Sequence, residues 1–137
     1  MRAGTLPNIL SCGVVAHPTV HQQMLHQSGP GLDDMFRQVK IPMLFCPAWN
    51  DPASFRQGGH YMKLLQKAAK GSRSVLFKDQ LHGFANRSNL HIPKNRQAYE
   101  DFLRLTIEFL HERLHSHVIA GALNGADHQP KPIYARL

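Results

Sequence analysis

The sequence predicts an α/β fold whose strands run parallel and whose sheet carries helices on its faces. Two observations carry this. Short, nearly continuous apolar runs at residues 12–16, 42–48 and 75–77 alternate with helix-like stretches at 32–39, 55–70 and 95–117, the order that a parallel sheet with crossover helices requires. Asp51 and His82 follow the second and third apolar runs, and the carboxyl ends of parallel strands are where open sheets gather their functional groups.

Each element has its own signal. Residues 1–8 are a polar lead with Gly4 and Pro7. The first strand ends at His17-Pro18, where proline stops a hydrogen-bond ladder. Residues 19–31 contain Ser28-Gly29-Pro30-Gly31, a loop signal. Asp33 and Asp34 favour a helix start over 32–39, because carboxylates suit the positive end of the helix dipole. Residues 42–48 are apolar throughout, which suits a strand covered on both faces. In the helix over 55–70, Tyr61, Leu64, Leu65 and Ala68 recur at i, i+3, i+4 and i+7, and Gly71 follows as its stop. Residues 80–93 read as a long loop. The helix over 95–117 has Tyr99, Leu103, Thr106, Leu110 and Leu114 as its expected buried stripe, widened by Phe102, Ile107 and Phe109. Residues 118–137 carry two glycines and two prolines and are expected to be a flexible tail.

Composition narrows the classes. A chain of 137 residues with 42% apolar residues is expected to be one domain with a modest core. The net charge of +7 invites a nucleic-acid reading. The basic residues argue against it: Lys63, Lys67, Lys70 and Arg73 follow one helix and its exit, the others are scattered, and no aromatic residues interleave with them as a stacking platform. Cys12 and Cys46 sit in apolar runs, as free thiols do in a reducing compartment, so the expected location is cytoplasmic. No run approaches the roughly 20 apolar residues of a membrane span.

A carboxylate and an imidazole on neighbouring strand ends are the orienting acid and general base of a nucleophilic hydrolase. Asp51 and His82 are the catalytic candidates. Asp33 and Asp34 are explained by the helix start, and Asp79 lies too close to His82 in sequence for an arrangement on two strands. The third member of a triad has no counterpart. No Gly-x-Ser-x-Gly or Gly-x-Cys-x-Gly elbow occurs in the chain. Ser11, Cys12, Ser28 and Cys46 lack the small residues on both sides that a strained elbow needs. His111-Glu112-Arg113-Leu114-His115 matches the H-E-x-x-H zinc motif on a helix. That face also carries Arg104 and Glu108 and is expected to point to solvent, and no glutamate follows as a third ligand. No metal and no cofactor is expected.

These motifs, taken in order, resemble the C-terminal half of dienelactone-hydrolase-like members of the α/β-hydrolase superfamily. The segments that carry the resemblance are Gly13-Val14-Val15-Ala16-His17-Pro18, then Ile41-Pro42-Met43-Leu44-Phe45 leading to Asn50-Asp51-Pro52, then His82-Gly83-Phe84-Ala85-Asn86-Arg87, with Ala98-Tyr99 opening the last helix. The likeness spans roughly residues 8–116. It implies a partial α/β-hydrolase fold of three parallel strands with flanking helices, the N-terminal half missing. Residues 1–117 would be the C-terminal part of that domain. It also implies a Cys-Asp-His or Ser-Asp-His hydrolase of carboxylic esters or lactones, with Asp51 as acid, His82 as base and the nucleophile upstream of the first strand. His17 resembles a position near the site and is equally a polar strand end. Four positions after the catalytic histidine, where the bacterial enzymes carry an arginine that grips a substrate carboxylate, this chain has Asn86, with Arg87 one further on. The likeness does not extend to that grip.

Three expectations follow. Asp51 and His82 emerge at the same end of the sheet. The chain by itself turns over little or no ester, for want of a nucleophile and of oxyanion donors. The strand ending at His17 is an exposed, uncharged edge through which the chain self-associates. A non-catalytic remnant acting in protein association and a basic binding module are the two other function classes. A steep salt dependence of nucleic-acid binding would single out the last.

Overall fold

The computed structural model describes residues 10–18 and 31–124, with 116–124 as backbone only. Ser28, the loop signal before Gly31 and residues 125–137 of the expected tail lie outside the described residues.

Three parallel strands form one sheet in the order β1 (Gly13–Ala16), β2 (Met43–Cys46), β3 (Arg73–Ser74). The register sets Ala16 beside Cys46 and Phe45 beside Ser74. The third strand is regular over fewer residues than the apolar run 75–77 suggests. Its ladder nevertheless continues, because Val75 N–H donates to Phe45 O at 2.9 Å, Phe77 N–H donates to Pro47 O at 2.9 Å, and Ala48 and Phe77 form a parallel bridge.

Helix α1 (Leu32–Gln38) matches its expected place to within one residue. The single helix expected over 55–70 is divided into a 3-10 turn at Ala53–Phe55 and helix α2 (His60–Ala68). Gly58 and Gly59 separate them. Gly58 has φ +79°, and a Cβ on Gly59 would fall 2.5 Å from the Ala53 carbonyl oxygen, so only glycine allows this approach. Within the expected loop 80–93, a short helix α3 (Phe84–Arg87) follows Gly83. The last helix, α4 (Pro93–Asn124), begins earlier than Asn95 and runs past His117 into the expected tail, so Gly121 does not end it.

The sheet has a core on each face, and β2 divides its side chains between them. Met43 and Phe45 join Phe36, Val39, Ile41, Phe55, Met62, Leu65 and Ala69 under α1 and α2. Leu44 and Cys46 join Phe109 of α4, with Val14, Val75, Phe77, Phe102 and Leu105 packed around them. All four residues of β2 are buried, as its unbroken apolarity implies.

The buried stripe of α4 corrects the expected one. Phe102, Leu105, Phe109 and Leu110 meet the sheet, whereas Leu103, Ile107 and Leu114 are 39%, 66% and 49% exposed. The apolar arc of this helix is wider than the three strands cover. At 100° per residue, Ala98, Asp101, Arg104 and Leu105 turn towards a groove beside residues 75–80, and the uncovered leucines lie on the other flank. Arg73 and Arg113 lie over the Phe109 ring at 5.2 and 5.5 Å, and Glu112 pairs with both. No helix among the described residues is long and apolar enough to cross a membrane.

Candidate active site

The loops leaving β2 and β3 are joined to each other before either candidate side chain is reached. Beyond the Ala48–Phe77 bridge, Trp49 N–H donates to Gln80 O at 3.0 Å. Asn50 Oδ1 then accepts the backbone N–H of His82 at 2.7 Å. Asp51 and His82 therefore arrive side by side although they are far apart in sequence, at the same end of the sheet.

Asp51 closes its own turn. Its N–H donates to Ala48 O at 3.1 Å, and its Oδ2 accepts the Ala48 N–H at 2.7 Å. This local exchange is typical of Asp in turns, and here it fixes the carboxylate so that the second oxygen faces the imidazole. Oδ1 lies 2.6 Å from His82 Nδ1. Arg56 Nη2 donates to the carbonyls of Trp49 and Asp51 and clamps the loop from outside. The Asp51 side chain is 3% exposed and that of His82 is 27% exposed. A carboxylate so deeply placed is held by two donors, as a buried charge requires.

His82 is followed by Gly83 at φ +94°, the turn that starts α3. A Cβ at Gly83 would lie 2.7 Å from the guanidinium of Arg87, which folds back over this glycine. Arg87 is thereby brought to the site, although no hydrogen bond ties it to the pair. His82 Nε2 has no hydrogen-bond partner among the described residues. With Nδ1 facing a carboxylate, the ring takes the Nδ1–H tautomer, which leaves the Nε2 lone pair available as a base.

His17 completes the cluster. It follows β1 in the left-handed region at φ +34°, the one non-glycine residue with positive φ among those described. Its N–H continues the ladder to Cys46 O at 3.0 Å, and its ring stands edge-on to His82, centroids 4.8 Å apart, and to Phe84 at 6.1 Å. Its Nδ1 is buried without a hydrogen-bond partner among the described residues. Burial, and then the neighbouring His82, push its protonation below the ordinary histidine range.

The alternative candidates fall elsewhere. Asp33 pairs with Arg37 and His60 on α1 and α2, and its carboxyl is held low by the His60 hydrogen bond. Asp79 and Gln80 line the groove of about 540 Å³ against α4, whose lining includes neither Asp51 nor His82. Cys46 is buried in the sheet, its thiol pushed up to about 12 by burial, and burial raises Cys12 as well. His111 and His115 are exposed, with ring centroids 4.2 Å apart, and Glu112 between them is engaged by Arg73 and Arg113. No group of three or more His, Cys, Asp or Glu among the described residues is placed to hold a metal ion.

No protein-family model, no curated protein and no solved structure matches this chain.

Proposed function

We propose that Asp51 and His82 are the orienting acid and the general base of a carboxylic-ester or lactone hydrolase of the dienelactone-hydrolase kind. The described residues would then be part of an α/β-hydrolase fold. The observation that carries this reading is the 2.6 Å contact of Asp51 Oδ1 with His82 Nδ1, formed at the carboxyl ends of adjacent parallel strands with Nε2 unpartnered among the described residues. In this chemistry Nε2 takes the proton of a thiol or hydroxyl as its sulfur or oxygen adds to the acyl carbon. Asp51 stabilises the imidazolium, and the proton then passes to the departing alkoxide as the carbon–oxygen bond breaks. The nucleophile is not one this sequence supplies at an elbow, so a small-molecule ester or lactone is turned over only when one is provided.

An added thiol tests this. An activated aryl ester and 2-mercaptoethanol are mixed with the pure chain, and the rate is measured against thiol concentration. The reading predicts a protein-dependent term proportional to thiol and about tenfold smaller in His82→Ala. That falls below the roughly 10²–10⁴-fold worth of a positioned base, because a diffusing nucleophile is not oriented. A thiol term equal in wild type and His82→Ala contradicts the reading. Thiol-independent turnover lost in His82→Ala would instead identify a nucleophile within the chain.

A second reading, association through the β1 edge, is favoured by the exposed flank of α4. Among the described strands β1 pairs only with β2, and Gly13-Val14-Val15-Ala16 carries no charge to discourage a further strand. Leu103, Ile107 and Leu114 add an apolar surface on the helix flank away from the β3 groove.

A further inference from the structure

We propose that His17 is a positioning residue for His82, setting the plane of the imidazole and so the direction in which Nε2 points. The inference rests on the reading of His82 as a base and adds to it a residue that touches neither substrate nor nucleophile.

The starting point is that His17 is costly where it stands. A left-handed backbone is uncommon and costly for a residue with a Cβ, histidine being among the better tolerated, and His17 sits at φ +34°. Its Nδ1 is buried with no hydrogen-bond partner among the described residues, a second cost. Neither feature is required by β1 itself. The ladder bond from His17 N–H to Cys46 O uses backbone only, and asparagine or glycine would occupy this conformation with less strain. Uncompensated local cost of this kind gathers at functional sites when the surroundings hold it in place.

What the imidazole contacts explains the cost. Its ring stands edge-on to His82 at 4.8 Å with an interplanar angle of 69°, and edge-on to buried Phe84 at 6.1 Å. The Asp51 bond holds His82 at Nδ1 alone. That bond resists rotation about Cβ–Cγ, because Nδ1 lies off the axis, but one hydrogen bond still allows small tilts of the ring, and each tilt displaces Nε2 on the opposite side. The edge-on ring of His17, 4.8 Å away, opposes them. It does so as a neutral ring, because its own burial, and then the neighbouring His82, disfavour its protonated form. Displacement of a reacting group by about 1 Å costs on the order of a hundredfold in rate, so a wall on one face of the base matters.

The test compares His17→Asn and His17→Phe in the full chain. Asparagine relieves the backbone and removes the ring. Phenylalanine keeps a ring of similar shape and removes the unpartnered nitrogen. Three quantities are read: the melting temperature, the exchange rate with water of the His82 Nδ1 proton by NMR, and the thiol-dependent ester rate. In His17→Asn the melting temperature is expected to hold or rise, while the Nδ1 proton exchanges faster and the ester rate falls, each by about tenfold. In His17→Phe both return to within about twofold of wild type. Wild-type proton exchange and ester rate in His17→Asn overturn the proposal. So does loss of folding in both variants, which would make the imidazole a structural element. If wild type shows no thiol-dependent rate, the functional reading fails by itself, and the proton-exchange comparison still decides the part played by His17.

Discussion

Asp51 spends its two carboxylate oxygens on different tasks: Oδ2 accepts the Ala48 N–H at 2.7 Å and shapes the loop, while Oδ1 lies 2.6 Å from His82 Nδ1 and orients the imidazole. One buried side chain thus couples the loop after β2 to the imidazole beyond the end of β3.

That double duty predicts the effect of removing it. Asp51→Ala leaves the Ala48 N–H buried without its acceptor, and an unsatisfied buried donor costs about 1–3 kcal/mol. Urea unfolding should show a loss in that range. A change below about 0.5 kcal/mol, the size usual for surface substitutions, would mean that the loop holds without the carboxylate.

Much of this arrangement was legible in the sequence, for a physical reason. The run from Met43 to Cys46 is apolar on every residue because both faces are covered, so it stands out as a central strand. Parallel strands align their carboxyl ends, and Asp51 and His82 could be placed together from their positions just past two such runs. The same rule applies to His17 after the first run, yet a polar strand end reads equally well as a cap, and only the register of Ala16 with Cys46 brings it to His82. Asn50 beside Asp51 gave no signal of its own, because its partner is a backbone N–H. The stripe of α4 was misplaced because an apolar arc wider than the sheet contact has no periodicity that says which part is covered. The break at Gly58-Gly59 was hidden inside a helix-period pattern that continued on both sides.

The cysteines give a second prediction. Burial pushes Cys46 to about 12 and raises Cys12, the latter partly offset by Arg113. Thiolate is the reactive form, so native Cys46 at pH 8 should react with a disulfide reagent ~10³-fold slower than a free thiol or slower still. Both should label at once in urea. Labelling of native Cys46 at the free-thiol rate would contradict its place in the core.

The pH dependence of stability follows from His17. Burial first, and His82 next, keep it neutral in the fold, opposed in part by its backbone hydrogen bond and by Asp51, with Arg87 adding a smaller push in the same direction as burial. The unfolded chain therefore binds a proton at the ordinary value of about 6.5 before the folded chain does, and stability falls as pH drops through that value. The contribution is absent above about pH 7.5 and grows down to the depressed folded value. His17→Phe should flatten the loss between about pH 7.5 and 5.5. Equal slopes for wild type and variant would show that His17 is not the group responsible.

The edge of β1 and the exposed flank of α4 predict association. Sedimentation velocity of the pure chain should give a weight-average mass that rises with concentration, because an uncharged strand edge pairs readily and apolar helix surface adds to it. A single monomeric species at every concentration, with a cooperative thermal transition, would remove the second functional reading.

The central claim is that Asp51 holds His82 as a base with Nε2 free. The tautomer of His82 tests this most directly, and ¹⁵N NMR of the imidazole nitrogens at neutral pH reads it. The account predicts a protonated Nδ1 and an unprotonated Nε2. Its Nδ1 proton should lie well downfield of the amide region and be lost in Asp51→Ala. An Nε2–H tautomer in wild type, or an Nδ1 proton unchanged when Asp51 is removed, would contradict it.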